Sequence, residues 1–219
     1  MKLALPFKKS SVYAFIDASN LFYGGEKSLG WSIDYQKLIA YLRDKYHVSD
    51  VYYYGGIETH DFSYSILDFH IPIDLEKLLE HLNAKVTQAN NLSEAKLALL
   101  DKHIQRVRFY RRLQSFGYLL RLKPVKIYSD GEGGTVKKAN CDVDMTFDMM
   151  RLMSKYSEAI ILSGDGDFVP VLSYLRHKGR KITILARSER AAREIKQLAG
   201  ADFRDFHYLR EILRFEAKK

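Results

Sequence analysis

Short apolar runs alternate along this chain with stretches whose apolar residues recur every three or four positions. Val12-Tyr13-Ala14-Phe15-Ile16 reads as a buried strand that ends in Asp17-Ala18-Ser19-Asn20, and Val51-Tyr52-Tyr53-Tyr54 reads as a second, closed by Gly55-Gly56. Three successive tyrosines fit a strand with one wet face better than a base-stacking platform. Between the two runs a helix starts near Asp34 and turns Leu38, Ile39 and Leu42 inward. From 74 to 116 the pattern is helical. Leu75, Leu78, Leu79 and Leu82 follow i, i+3, i+4, i+7 spacing, and Leu97, Leu100, Ile104, Val107 and Leu113 form a second run between a Ser93 cap and Gly117.

Two further strands are expected over Tyr118–Leu122 and Val125–Tyr128, then a loop at Asp130–Gly134. A helix follows over about 142–153, carrying Met145, Met149, Met150 and Met153 as core filler. The strand Ala159–Leu162 comes next, then an acidic loop, a helix ending at Gly179 and the strand Lys181–Leu185. Ser188 is read as the cap of a helix stopping at Gly200, and Phe206, Leu209, Ile212 and Leu213 as a last helix against the core. Strands alternating with helices predict an α/β fold, with a mostly parallel sheet covered on both faces. The chain reads as one domain with a helical insertion at about 61–116.

Composition narrows the class. With 219 residues, 47% of them hydrophobic, the chain can bury a full core. No run approaches the roughly 18 apolar residues that span a bilayer, and Met1–Ser11 lacks the apolar core of a signal peptide. Cys141 is the single cysteine, so no intramolecular disulfide or multi-cysteine zinc site is expected. The expected location is the cytoplasm. The net charge of +8 is concentrated: Lys102 to Lys126 holds eight Lys and Arg and no acid, whereas outside that window 27 basic residues face 27 acidic ones. Such a local excess suits a polyphosphate partner or a solvated helix face. Arg108, Arg111 and Arg112 can form one ridge, continued by Arg121, Lys123 and Lys126.

The candidate chemistry begins at Leu162-Ser163-Gly164-Asp165-Gly166-Asp167-Phe168, where a buried strand ends in two carboxylates. Open α/β sheets bind ligands at the C-terminal ends of their strands. Acids this close call for a cation or a shared proton, unless Asp167 merely caps the next helix. Asp17 ends another strand. If the two strands are neighbours, Asp17 comes within reach of Asp165. Of the acids between them, Asp144 and Asp148 share a helix face, while Asp142 points elsewhere or caps the helix. Carboxylates without nearby His or Cys suit Mg²⁺ or Mn²⁺, which polarise phosphoryl oxygens and supply hydroxide for in-line attack. Lys137 and Lys138 precede these acids and could hold a phosphate. The seven histidines show no metal-ligand spacing, and Cys141 reads as a small buried thiol with no His placed to activate it.

Asp17-x-x-Asn20, then Cys141-Asp142-Val143-Asp144 with Asp148 six residues after Asp142, then Leu162–Phe168, together resemble the NYN domain. The LabA-like branch of the PIN-like nuclease superfamily is the nearest pattern, with supporting matches at Leu29-Gly30-Trp31 and Leu175-Arg176-His177-Lys178-Gly179. The resemblance covers about 12–54 and 117–210. It implies a Rossmann-like sheet and metal-dependent hydrolysis of RNA phosphodiesters. In that pattern Asp17, Asp142, Asp165 and Asp167 are the metal ligands. Asn20 supports Asp17, Ser163 orients a carboxylate or water, and Asp148 is a recurrent outer acid. Asp144 is assigned to the surface. RNA is the implied partner, with a single strand as one form it could take, and the long helices could instead pair two copies of the chain. A binding module with little turnover, or a phosphatase acting on small esters, are the other function classes open to this sequence.

Overall fold

The computed structural model describes residues 11–21, 30–65, 71–88, 93–129 and 135–216, with only the backbone of 127–129 and 135–138. The chain opens with β1 (Val12–Asp17), α1 (Tyr35–Tyr46), β2 (Val48–Ile57), α2 (Leu75–Thr87), α3 (Glu94–Phe116) and β3 (Tyr118–Pro124). It continues with β4 (Lys126–Ser129), β5 (Thr135–Lys138), α4 (Asp142–Arg151), β6 (Glu158–Leu162) and α5 (Val169–His177). It closes with β7 (Lys181–Ala186), α6 (Arg193–Ala199), β8 (Phe203–Asp205) and α7 (Arg210–Leu213).

Six strands form one sheet in the order β3-β2-β1-β6-β7-β8, every pair parallel. The chain therefore winds outward from β1 through β2 to β3, then returns to place β6 on the other side of β1. That reversal makes the β1–β6 junction the topological switch point, where the connections diverge and leave a crevice. Both faces are buried, as an all-parallel sheet requires. Ala14 and Ile16 face a core with Leu38, Leu42, Leu78, Leu82, Val107 and Leu113 of α1, α2 and α3. Phe15 and Ile161 face Met145, Met149, Leu172, Leu175 and Ile195 of α4, α5 and α6.

Asp34 caps α1 by accepting from the amides of Gln36 and Lys37, and Leu38, Ile39 and Leu42 are buried as their spacing predicts. Gly117, at φ 98°, ends α3 in the left-handed region that glycine tolerates. Four sequence-based expectations are revised. First, β2 does not stop at Gly55-Gly56 but runs through both. A Cβ on Gly55 would sit 3.0 Å from the Tyr110 hydroxyl and one on Gly56 2.7 Å from Ala139, so these glycines admit close neighbours rather than a turn. Second, Tyr52, Tyr53 and Tyr54 have no wet face, because helices cover both sides. Third, Ser188 lies in a turn closed by amides of Arg190 and Ala191 on the Arg187 carbonyl, and α6 begins only at Arg193. Fourth, β4 leaves the sheet and pairs antiparallel with β5. The expected loop at 130–134 lies outside the described residues.

Candidate metal centre and nucleic-acid surface

At the C-terminal end of β1, Asp17 is buried, and its Oδ1 accepts from the amides of Ser19 (3.0 Å) and Asn20 (3.1 Å). One short sequence thus makes a strand end and a helical turn, with the carboxylate as the cap. Because β1 pairs with β6 through Ile16↔Leu162, the residue that follows β6, Ser163, stands beside Asp17. The Ser163 hydroxyl donates to Asp17 Oδ2 at 3.1 Å and accepts from the Asp165 amide at 3.2 Å. Asn20 reaches across the same junction, its Oδ1 accepting from the Gly164 amide at 2.9 Å. A Cβ on Gly164 would lie 2.8 Å from the Ala191 Cα, and the Gly164 carbonyl accepts from the Ala192 amide. The acidic loop is therefore wedged between β1 and the start of α6, and only glycine fits at its base.

The electrostatics of Asp17 are adverse. Burial raises its pKa, the Asp142 charge raises it further, and the Asn20 and Ser19 amides with the Ser163 hydroxyl oppose the shift. Asp142 is the first residue of α4, preceded by Cys141, and its own amide donates to the Asn140 Oδ1 at 2.9 Å. Two carboxylates thus sense each other at the switch point, in an environment that supplies oxygen donors. This is a setting that a hard cation relieves, and Mg²⁺ is commonly held by one or two carboxylates with water completing its shell. Asp17 and Asp142 are the residues that fit it. Asp165 turns its Oδ1 onto the Asp167 amide at 3.0 Å, and Asp167 is exposed. Among the described residues no three or more His, Cys, Asp or Glu side chains are gathered closely enough to hold one ion.

The other acids of α4 face β3. Asp148 is buried and accepts from the Tyr54 hydroxyl (2.9 Å), Arg121 Nε (2.9 Å) and Arg151 Nε (2.5 Å). Asp144 pairs with Lys123 at 2.7 Å. This ionic connection between α4 and β3 was not visible in the sequence, where Arg121 and Lys123 belong to the basic window and their partners lie more than 20 positions away. Arg111 pairs with Glu76 and Arg106 with Glu58 (3.2 Å), so half of the window's cations are engaged. Lys102, Arg108, Arg112 and Lys126 are exposed, and the side chains of Lys137 and Lys138 lie outside the described residues. Cys141 is half-buried, and desolvation pushes its thiol up to about 12, an inert state. Spacing also missed a contact between His60 Nε2 and His103 Nδ1 at 2.5 Å, with His103 Nε2 3.3 Å from Glu58.

The sequence model of the NYN domain matches residues 61–210. The chain belongs to the NYN domain family. It is 26% identical over 196 residues to the low amplitude and bright protein LabA of Synechococcus elongatus, a match covering 88% of this chain and 82% of that protein. A protein of unknown function from Vibrio parahaemolyticus has a similar fold, with a TM-score of 0.61 at 17% identity over 91% of this chain and 94% of that one. The NYN match takes in α2 and α3, and it begins downstream of β1 and Asp17. No helix among the described residues of this LabA-like NYN domain is long and apolar enough to cross a membrane.

Proposed function

We propose that this NYN domain is an endoribonuclease that hydrolyses RNA phosphodiesters with Mg²⁺ or Mn²⁺. The observation that carries the reading is the buried Asp17 carboxylate at the β1–β6 switch point, held by two amides and Ser163 and raised in pKa partly by Asp142. When bound, a divalent cation polarises a phosphoryl oxygen and lowers the pKa of water at the site. The chain's own groups have separate tasks. Asp17 and Asp142 bind, Ser163 fixes the second oxygen of Asp17, and Asn20 holds the acidic loop at its distance from β1. Asp165 and Asp167 complete the acidic surface at which RNA would meet the cation, and exposed Arg108, Arg112 and Lys126 supply phosphate contacts that position a strand without reading its sequence.

The test is cleavage of a mixed RNA panel with Mn²⁺, with Mg²⁺ and with a chelator. Cleavage should need the cation and should vanish in Asp17→Asn and in the Asp165→Asn/Asp167→Asn double variant. Intact RNA in every condition, or activity untouched by both variants, removes the reading. One observation favours a binding module with little turnover instead: the Asp165 carboxylate caps its own loop rather than turning to Asp17. Salt-dependent RNA binding without cation-dependent cleavage is the result that would select it.

A further inference from the structure

A groove of about 660 Å³ runs along β3, the edge strand of the sheet, between α4 on one face and the α2–α3 pair on the other. Its charged lining is Arg121, Lys123 and Arg151 against Asp144 alone. Three large apolar side chains stand half-exposed in it: Ile71 (54%), Leu119 (38%) and Phe147 (50%). The Arg151 guanidinium sits 5.8 Å from the centre of the Phe147 ring, so a flat apolar surface and a cation are offered together. One end of the groove reaches Asp144, two residues beyond Asp142.

We propose that this groove holds single-stranded RNA on its way to the Asp17–Asp142 site, with a base stacked on Phe147 and phosphates drawn to Arg151, Arg121 and Lys123. The proposal rests on the ribonuclease reading for its direction but not for its chemistry. A cationic groove interleaved with exposed aromatic surface is how single strands are bound without sequence preference. Unpaired bases can splay onto such a surface, whereas duplex bases stay stacked inside. The pairings do not consume every donor: Arg121 gives Nε to Asp148 and Nη1 to the Leu120 carbonyl, Arg151 gives Nε to Asp148, and Lys123 gives one donor to Asp144, so the remaining guanidinium and ammonium donors can meet a phosphate. A peptide strand pairing with β3 is the competing occupant. Arg121, Lys123 and Pro124 along that strand are the residue types that blunt an edge against strand addition.

The experiment is fluorescence anisotropy of a labelled oligouridine in chelator-containing buffer, where cleavage plays no part. Phe147→Ala should weaken binding by roughly five-fold or more, Phe147→Tyr should retain it, and Phe215→Ala, at another exposed ring, should leave it unchanged. A duplex of matched length should bind more weakly than the single strand. Unchanged binding by Phe147→Ala, equal affinity for the duplex, or equal competition by an oligoglutamate peptide would each overturn the proposal. If the groove binds and no RNA is cut with Mn²⁺, the ribonuclease reading fails and the groove stands. If RNA is cut while Phe147→Ala binds normally, the groove fails and the ribonuclease reading stands.

Discussion

Asp17 carries a stability cost that its position explains. Its folded-state pKa is raised, first by burial, so the native state holds a proton more tightly than the unfolded chain does. The stability linked to this group is therefore full below the unfolded pKa and is lost as pH rises through the folded value. At neutral pH the ionised carboxylate is a burden unless a cation shares it. Asp17→Asn should consequently be more stable than the native protein by about 0.5–2 kcal/mol at pH near 7, with the gain shrinking as pH approaches the ordinary carboxylate value of 3.8. Thermal melts across pH check this. A variant less stable than native at neutral pH would show that the hydrogen bonds to Asp17 outweigh its desolvation. In the same melts Mn²⁺ should raise the Tm of the native protein and leave that of Asp17→Asn in place. Asn20 makes the complementary case. Removing its Oδ1 orphans the buried Gly164 amide, so Asn20→Ala should cost about 1–3 kcal/mol in urea unfolding. Asp17, Asn20 and Ser163 were legible as strand-end residues of a recognisable pattern. The relay from the Asp165 amide through the Ser163 hydroxyl to Asp17 was not, because it depends on which strands are neighbours.

Among the elements, α4 is the one whose placement governs the proposed centre. The charge of its first residue, Asp142, is felt at Asp17, while Asp144 and Asp148 anchor it to β3 through Lys123 and Arg121 and to β2 through Tyr54. The helix is thus oriented by charge as well as by Met145 and Met149 in the core. Asp148→Ala removes the shared acceptor of a tyrosine and two arginines. Both arginines keep some contact with water, so the cost is that of hydrogen bonds to a charged group, about 1.5–3 kcal/mol by urea unfolding. RNA cleavage should fall further than stability alone explains, because α4 loses its register against β3. Full activity at a permissive temperature would refute the positioning role. The helical face shared by Asp144 and Asp148 follows from periodicity alone, but its destination does not. Gly55-Gly56 gave the opposite lesson: a glycine pair that reads as punctuation is here a place where Tyr110 and Ala139 press against a continuing strand.

For the whole molecule, alternating strands and helices made the α/β class and the parallel sheet legible, since each periodic run is local. Strand order, β8 and the β4–β5 hairpin were not, because they depend on pairings between distant segments. Net charge shows the same limit. A basic window of eight side chains suggests a broad anionic surface, yet the fold commits Arg106, Arg111, Arg121 and Lys123 to acids of α2, α4 and the segment after β2. Four of the window's eight cations thus share their charge with an acid, and the salt dependence of RNA affinity should reflect fewer phosphate contacts than eight. For a single strand each neutralised phosphate contributes a slope of about −0.7 in log K against log[salt]. Arg108 and Arg112 are exposed on α3 and form no ion pair with a described residue. If each holds one phosphate, Arg108→Gln/Arg112→Gln should make the slope shallower by about 1.4, with binding still dependent on Phe147. A uniform loss of affinity with the slope unchanged would mean that the two arginines act elsewhere than on the strand, and that the groove cations carry the contacts.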